Sequence, residues 1–187
     1  MKRAALAIVA VVLGEVVFTP RAAHALERSQ GFGLDAGLAV LSVSGESAEV
    51  GISYGLHYSL ALTDQFDFVS ELGGAIVDLS PVVTPTSPLD RPSMLWNADA
   101  GVIYKLDIVQ FVPYFGALAG GYVLNGGSLP STKVLPGGEL AVGADYLLSR
   151  QWAVGLAIRE HFLFTDLGTY PSYLTVTARV ELTWGSF

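Results

Sequence analysis

The sequence predicts an all-β chain, an eight-stranded antiparallel up-and-down β-barrel that crosses a membrane. Three observations lead there. Apolar and polar residues alternate with period two along nearly the whole chain, and period 3.6 is nowhere convincing. The segments joined this way reach about thirteen residues, longer than strands of water-soluble proteins usually run. The connections between them alternate between short and long.

Before the first strand, residues 1–25 read as a secretory signal peptide. Lys2 and Arg3 are followed by an apolar stretch from Ala4 to Gly14 and a small-x-small site at Ala23-His24-Ala25. Glu15 interrupts that stretch and weighs against a retained membrane anchor, because a carboxylate at a helix centre is costly in hydrocarbon. Cleavage after Ala25 leaves residues 26–187 as the barrel domain. It removes Lys2, Arg3, Arg21 and Glu15, so Lys+Arg falls from 10 to 7 and Asp+Glu from 17 to 16, a net charge of about −9. Such a chain offers little to a phosphate backbone, and a nucleic-acid partner is not expected. It has no cysteine, so burial or a closed hydrogen-bond network must hold it together.

The strands follow in order. Over 32–40 apolar residues alternate with Gly33, Asp35 and Gly37. Over 50–62 the even positions are Val50, Ile52, Tyr54, Leu56, Tyr58, Leu60 and Leu62, and the odd face carries Ser53, His57 and Ser59. Residues 66–76 are less clean, with Ser70 and Gly74 on the apolar side. Residues 96–106 set Asn97, Asp99 and Lys105 opposite their apolar face. The Gly- and Ala-rich segment 111–122 leaves its facing open. Segment 140–148 has Glu139, Gly143 and Asp145 on its other face, and 152–158 has Ala153, Gly155, Ala157 and Arg159. The last strand, 173–187, carries Leu174, Val176, Ala178, Val180, Leu182 and Trp184 on one face and Arg179 and Glu181 on the other.

The links 63–65, 106–110 and 148–151 are short. Those at 80–93, 123–138 and 165–172 are longer and rich in Pro or Gly, which disfavours regular structure. Short turns at one end and long loops at the other are the pattern of a barrel with periplasmic turns and extracellular loops. Aromatics gather toward strand ends, as two interfacial belts would require. Phe32, Phe66, Phe68, Tyr104, Phe111, Tyr114, Tyr146, Trp152 and Trp184 fall near the short turns; Trp96, Tyr122, Phe162, Phe164 and Tyr173 fall near the long loops.

With these features the chain resembles the small outer-membrane barrels of the OmpA-barrel and OmpX type, over essentially its whole mature length. The resemblance implies residence in the outer membrane of a Gram-negative-type bacterium and outer-membrane lipid as its surroundings. It also implies a C-terminal strand with a terminal aromatic residue, read by the barrel insertion machinery during assembly. In this chain that signal would be Val180, Leu182, Trp184 and Phe187. Phe187 breaks the parity of the others, so Gly185 or Ser186 must absorb a one-residue slip, as a bulge does.

A barrel of eight strands is just wide enough to be filled by side chains. The polar faces place Asp35, His57, Glu71, Asp99, Lys105, Asp145, Arg159, Arg179 and Glu181 in a lumen network, joined by Ser53, Asp67, Asn97, Glu139 and His161. A hydrogen-bonded ion-pair network is expected, since a buried charge without a partner is expensive. The role that follows is structural or surface-interacting, with a surface ligand reached through the loops, and not enzymatic. A narrow ion or small-solute channel is the alternative. An esterase acting on lipid A ranks last: His57-Tyr58-Ser59 resembles two positions of the His-x-Ser-Asn motif of lipid A 3-O-deacylases. Leu60, however, stands in place of the Asn, and the parity puts His57 and Ser59 inside. A soluble lipocalin-like barrel would need both faces reversed. Only three His and no Cys predict neither metal centre nor cofactor.

Overall fold

The computed structural model describes residues 29–44, 48–77, 91–106 and 110–185. The signal-peptide segment, most of the 80–93 link and Phe187 lie outside the described residues. Eight strands are present: β1 (Gln30–Ser42), β2 (Glu49–Ala61), β3 (Phe66–Ile76), β4 (Met94–Lys105), β5 (Phe111–Asn125), β6 (Lys133–Leu147), β7 (Trp152–Leu163) and β8 (Ser172–Trp184). Each pairs antiparallel with the next, and β8 pairs with β1 to close the barrel. Closure leaves no edge, which is what allows a sheet to sit in hydrocarbon.

Facing follows the parity of the sequence. Leu34 is 56% exposed and the adjacent Asp35 4%; Leu156 is 63% exposed and Ala157 0%. The outer wall is a continuous apolar surface and the lumen holds the charges. These are the faces of a membrane-spanning barrel and the reverse of a lipocalin-like one. In β5, where the sequence leaves the facing open, Tyr114, Leu118, Tyr122 and Leu124 point inward and Phe111 and Phe115 outward.

Three expectations are corrected. The link over 123–138 is mostly strand: β5 runs to Asn125 and β6 begins at Lys133. Its turn is made at Gly126 and Gly127, with φ of 73° and 62°, a left-handed region that Gly enters without penalty. The strand 152–158 likewise extends to Leu163. Tyr114, Tyr122 and Tyr173 are not belt residues. All three are buried in the lumen, where Tyr114 meets the Arg179 guanidinium and Tyr122 and Tyr173 meet the His161 imidazole. The outward aromatics do form belts. At the short-turn end Phe66, Tyr104 and Phe115 lie side by side on β3, β4 and β5 with ring centroids 5.1 and 5.3 Å apart. At the loop end Tyr54 meets Trp96 edge to face at 5.7 Å. Gly185, one of the two residues expected to absorb the terminal slip, has a φ of 132°.

Glycine makes room for the large polar residues of the lumen. His57 pairs across β1–β2 with Gly33, Asn97 across β3–β4 with Gly73, and Tyr114 across β5–β6 with Gly143. A Cβ on Gly33 would fall 2.2 Å from the His57 imidazole and 2.7 Å from the Val180 carbonyl oxygen, which is backbone and cannot move aside. Gly33→Ala is therefore expected to cost about 1–3 kcal/mol by overpacking. Urea unfolding of the detergent-folded barrel, followed by loss of its fast-migrating band, measures this. Ala36→Gly on the outer wall of the same strand is the reference.

Candidate functional site

The lumen is layered along its axis. At the loop end an apolar plug closes it: Leu41, Val43, Val77, Leu95, Leu124 and Leu163, with Tyr122, Tyr170 and Tyr173. Alternation toward the strand ends places these residues inside, and Tyr170 folds in from the β7–β8 loop. At this end loop residues are tied to the first residues of strands by Glu49–Arg91 at 3.2 Å and Lys133–Asp166 at 3.3 Å.

Below the plug lies the charged core. Arg159 on β7 is its hub. Its Nη2 donates to Asp35 Oδ1 at 3.1 Å and its Nη1 to Thr177 Oγ1 at 2.9 Å. Its Nε lies 3.2 Å from Glu71 Oε2 and 3.3 Å from Glu139 Oε1. One guanidinium thus serves three carboxylates from β1, β3 and β6. Its planar fork of donors makes that arrangement available to Arg and not to Lys.

One layer nearer the short turns, Arg179 on β8 repeats the motif. Its Nη1 donates to the Tyr114 hydroxyl at 2.6 Å and its Nη2 to Glu181 Oε2 at 2.7 Å. Its Nε lies 3.4 Å from Asp145 Oδ1. His57 joins the two layers: Nδ1 is 2.5 Å from Asp35 Oδ2 and Nε2 3.1 Å from Glu181 Oε2. At the short-turn mouth Lys105 Nζ reaches Asp67 Oδ2 at 2.6 Å. Toward the loops Tyr122 and Tyr173 enclose His161, whose Nδ1 is 3.0 Å from the Tyr122 hydroxyl and whose ring stacks on Tyr173 at 4.4 Å. The space left over is small. Two cavities in the lumen measure about 10 Å³ each, room for roughly one water apiece.

The nine network residues expected from the sequence lie inside or at the mouth, six of them in two groups and with partners that parity could not specify. Asp35, Glu71 and Arg159 form one group; Asp145, Arg179 and Glu181 form the other, and His57 bridges them. Asp99 stands apart, bonded to Asn97 Nδ2 at 2.7 Å. Glu71 is opposite His57 in the β2–β3 register, yet its charged partner is Arg159. Ser59 Oγ donates to Glu181 Oε1 at 2.9 Å and not to His57, so no Ser–His pair forms and the motif residues face the lumen instead of lipid. Sequence reasoning missed the three tyrosines. Their only signal was parity: Tyr114 and Tyr122 share the even face of β5 with Val112, Leu118 and Leu124, and Tyr173 shares the odd face of β8 with Arg179.

No protein-family model matches the chain, and no curated protein matches it. Solved structures do. Neisserial surface protein A is 16% identical, with a TM-score of 0.64, covering 82% of this chain and 96% of that one. The attachment invasion locus protein Ail of Yersinia pestis is 8% identical, with a TM-score of 0.55 over 85% of this chain and all of Ail. The N-terminal β-barrel domain of Pseudomonas aeruginosa OprF is 14% identical, with a TM-score of 0.53 over 82% of this chain and 97% of that domain. The fold is that of the small eight-stranded outer-membrane barrels.

Arg159 carries the heaviest consequence of this geometry. Removing the one cation that faces three buried carboxylates leaves them without their charged partner. Arg159→Met is expected to destabilise the barrel by about 3–5 kcal/mol, measured by urea unfolding in detergent. Arg159→Lys should recover only part of that loss, because an ammonium cannot address three carboxylates in one plane.

Proposed function

We propose that the chain is an integral outer-membrane barrel, without enzymatic activity, whose role is structural or surface-interacting. The lumen is plugged by its own side chains and the loops are the working surface. The observation that carries this reading is the pairing of an apolar outer wall with a filled interior. Charged layers and an apolar plug occupy the whole axis, leaving cavities about the size of one water. Filling of that kind speaks against steady passage of solute, since an eight-stranded barrel has no lumen to spare once its side chains are in place. The short-turn end holds both the start of β1 and the end of β8, so the opposite end carries the longer links to the outside. A barrel anchored in this way would meet lipopolysaccharide, a surface ligand or another envelope protein through those links.

The likeness to Neisserial surface protein A and to the attachment invasion locus protein supports a surface role in kind, without supplying a ligand. The interior arrangement supports the non-enzymatic part. Ser59 is engaged by Glu181, and the lumen side chains bond to one another instead of facing lipid.

Two measurements test the reading together. Unboiled protein from isolated outer membranes should migrate faster than boiled protein on a detergent gel, and planar bilayers containing it should show no steady ionic current. Protein found in the soluble periplasmic fraction, or a reproducible single-channel conductance altered by Arg179→Ala, would refute it. Replacing residues 80–90 by a short turn should leave the gel shift intact while abolishing any adhesion of whole cells that the protein confers.

A further inference from the structure

The geometry points to a buried divalent-cation site of the zinc type in the loop-side half of the lumen, formed by Asp99, Glu139 and His161. It is independent of the role of the loops. The three residues come from β4, β6 and β7, and one ligand atom from each lies within 4.8 Å of the others. All three are buried, at 4, 2 and 2% exposure.

Unsatisfied oxygens point into this cluster. Asp99 receives a hydrogen bond from Asn97 at Oδ2 and lies against the Tyr122 hydroxyl, while its Oδ1 has no hydrogen-bond partner. Neither oxygen of Glu139 accepts a hydrogen bond: Oε1 is 3.3 Å from Arg159 Nε and Oε2 3.4 Å from His161 Nδ1. Asp99 forms no ion pair among the described residues, and Arg159 is already engaged by Asp35 and Glu71. Buried carboxylate oxygens in this state are paired or coordinate a metal.

The donors suit such an ion. One imidazole nitrogen and two carboxylate oxygens are ligands zinc takes at about 2.0–2.2 Å. Thr175 Oγ1, 3.3 Å from His161 Nε2, can hold the proton on that nitrogen and turn the Nδ1 lone pair toward the carboxylates. The Tyr122 hydroxyl, now 3.0 Å from Nδ1, has the Gly138 carbonyl as a second acceptor at 3.4 Å, so it can yield Nδ1 to a metal. The adjacent cavity, lined by Asn97, His161 and Thr175, has room for roughly one water as a fourth ligand. Arg159 opposes a cation here, and the ion must take Glu139 Oε1 from it while the guanidinium keeps Asp35 and Glu71.

Because the apolar plug covers the cluster, the ion is acquired during folding. The test folds the untagged chain into detergent with and without Zn²⁺, removes loose metal with a weak chelator, and counts bound zinc by mass spectrometry. Roughly one zinc per folded chain is expected, with the folded band surviving to a higher temperature than in metal-free protein. Asp99→Asn, nearly isosteric, should lose the bound zinc. Thr175→Val, a positioning change, should weaken binding about 10–100-fold while the gel shift persists. Asp145→Asn, a half-buried carboxylate nearer the short turns, should keep it. Wild-type protein that holds no zinc after folding in its presence would overturn the proposal. So would retention of zinc by Asp99→Asn, or its equal loss from Asp145→Asn.

Discussion

Everything in this molecule depends on the β1–β8 ladder. In hydrocarbon an unpaired backbone N–H or C=O has no water to turn to, so a sheet persists there only if its last strand finds its first. Here Gln30 pairs with Trp184 and Ser42 with Ser172, a ladder that uses the full length of both strands. Once that ladder is closed, every strand has two faces with no choice between them. The outer face meets lipid and must be apolar; the inner face is a tube too narrow for bulk solvent. The composition follows. Charged residues make up only 14% of the chain, and most of those in the strands are committed to the tube.

A narrow tube lined by charges has to solve a packing problem before an electrostatic one. Large polar side chains on neighbouring strands would collide at the axis. The solution is a cross-strand complement: His57 opposite Gly33, Asn97 opposite Gly73, Asp99 opposite Gly120, Asp145 opposite Gly155. The cost of glycine in a strand, lost entropy and no side chain to pack, is accepted because the space is taken by a neighbour's side chain. The electrostatic solution then rests on two guanidiniums. Arg159 and Arg179 come from adjacent strands but from different layers, and each gathers carboxylates from several strands. These contacts tie together strands that are not neighbours in the ladder, which backbone pairing alone cannot do.

Period-two alternation carries most of this information, and its reach has a definite end. Parity assigns a side chain to the lumen or to lipid, and it did so for Asp35, His57, Glu71, Asp99, Lys105, Asp145, Arg159, Arg179 and Glu181. It does not say at what height a residue sits, because register is set by turn geometry and stagger around the whole closed sheet. So Glu71 is legible as inward, but its pairing with Arg159 on β7 instead of His57 on β2 is not. Aromatic rings expose the other limit. Tyr suits a belt and also suits a lumen that offers its hydroxyl a partner, and nearness to a strand end does not separate the two. Tyr114, Tyr122 and Tyr173 went to the lumen for that reason. The 123–138 segment misled through its Pro and Gly: Pro136 faces outward on β6 and Gly137 and Gly138 sit within the ladder, so residues that usually break strands are accommodated in one.

The distribution of charge along the axis separates the two halves of the lumen. Toward the short turns, acids and bases are matched: Arg179 with Glu181 and Asp145, Lys105 with Asp67, and His57 between two carboxylates. Toward the loops, Arg159 alone stands among Asp35, Glu71 and Glu139, while Asp99 and its orphaned oxygen lie beyond its reach. An interior built only to be inert would have no reason for that asymmetry, since uncompensated burial of carboxylates is among the largest penalties a fold can carry. The layer immediately above the excess is the apolar plug of Leu41, Leu95, Leu124 and Tyr173, which lies between these carboxylates and the loops. Charge sealed beneath a hydrophobic cap can act on what is enclosed with it, not on what passes by. In the proposed reading the loop rim is the working surface, above a half of the lumen in which carboxylates outnumber the single guanidinium among them.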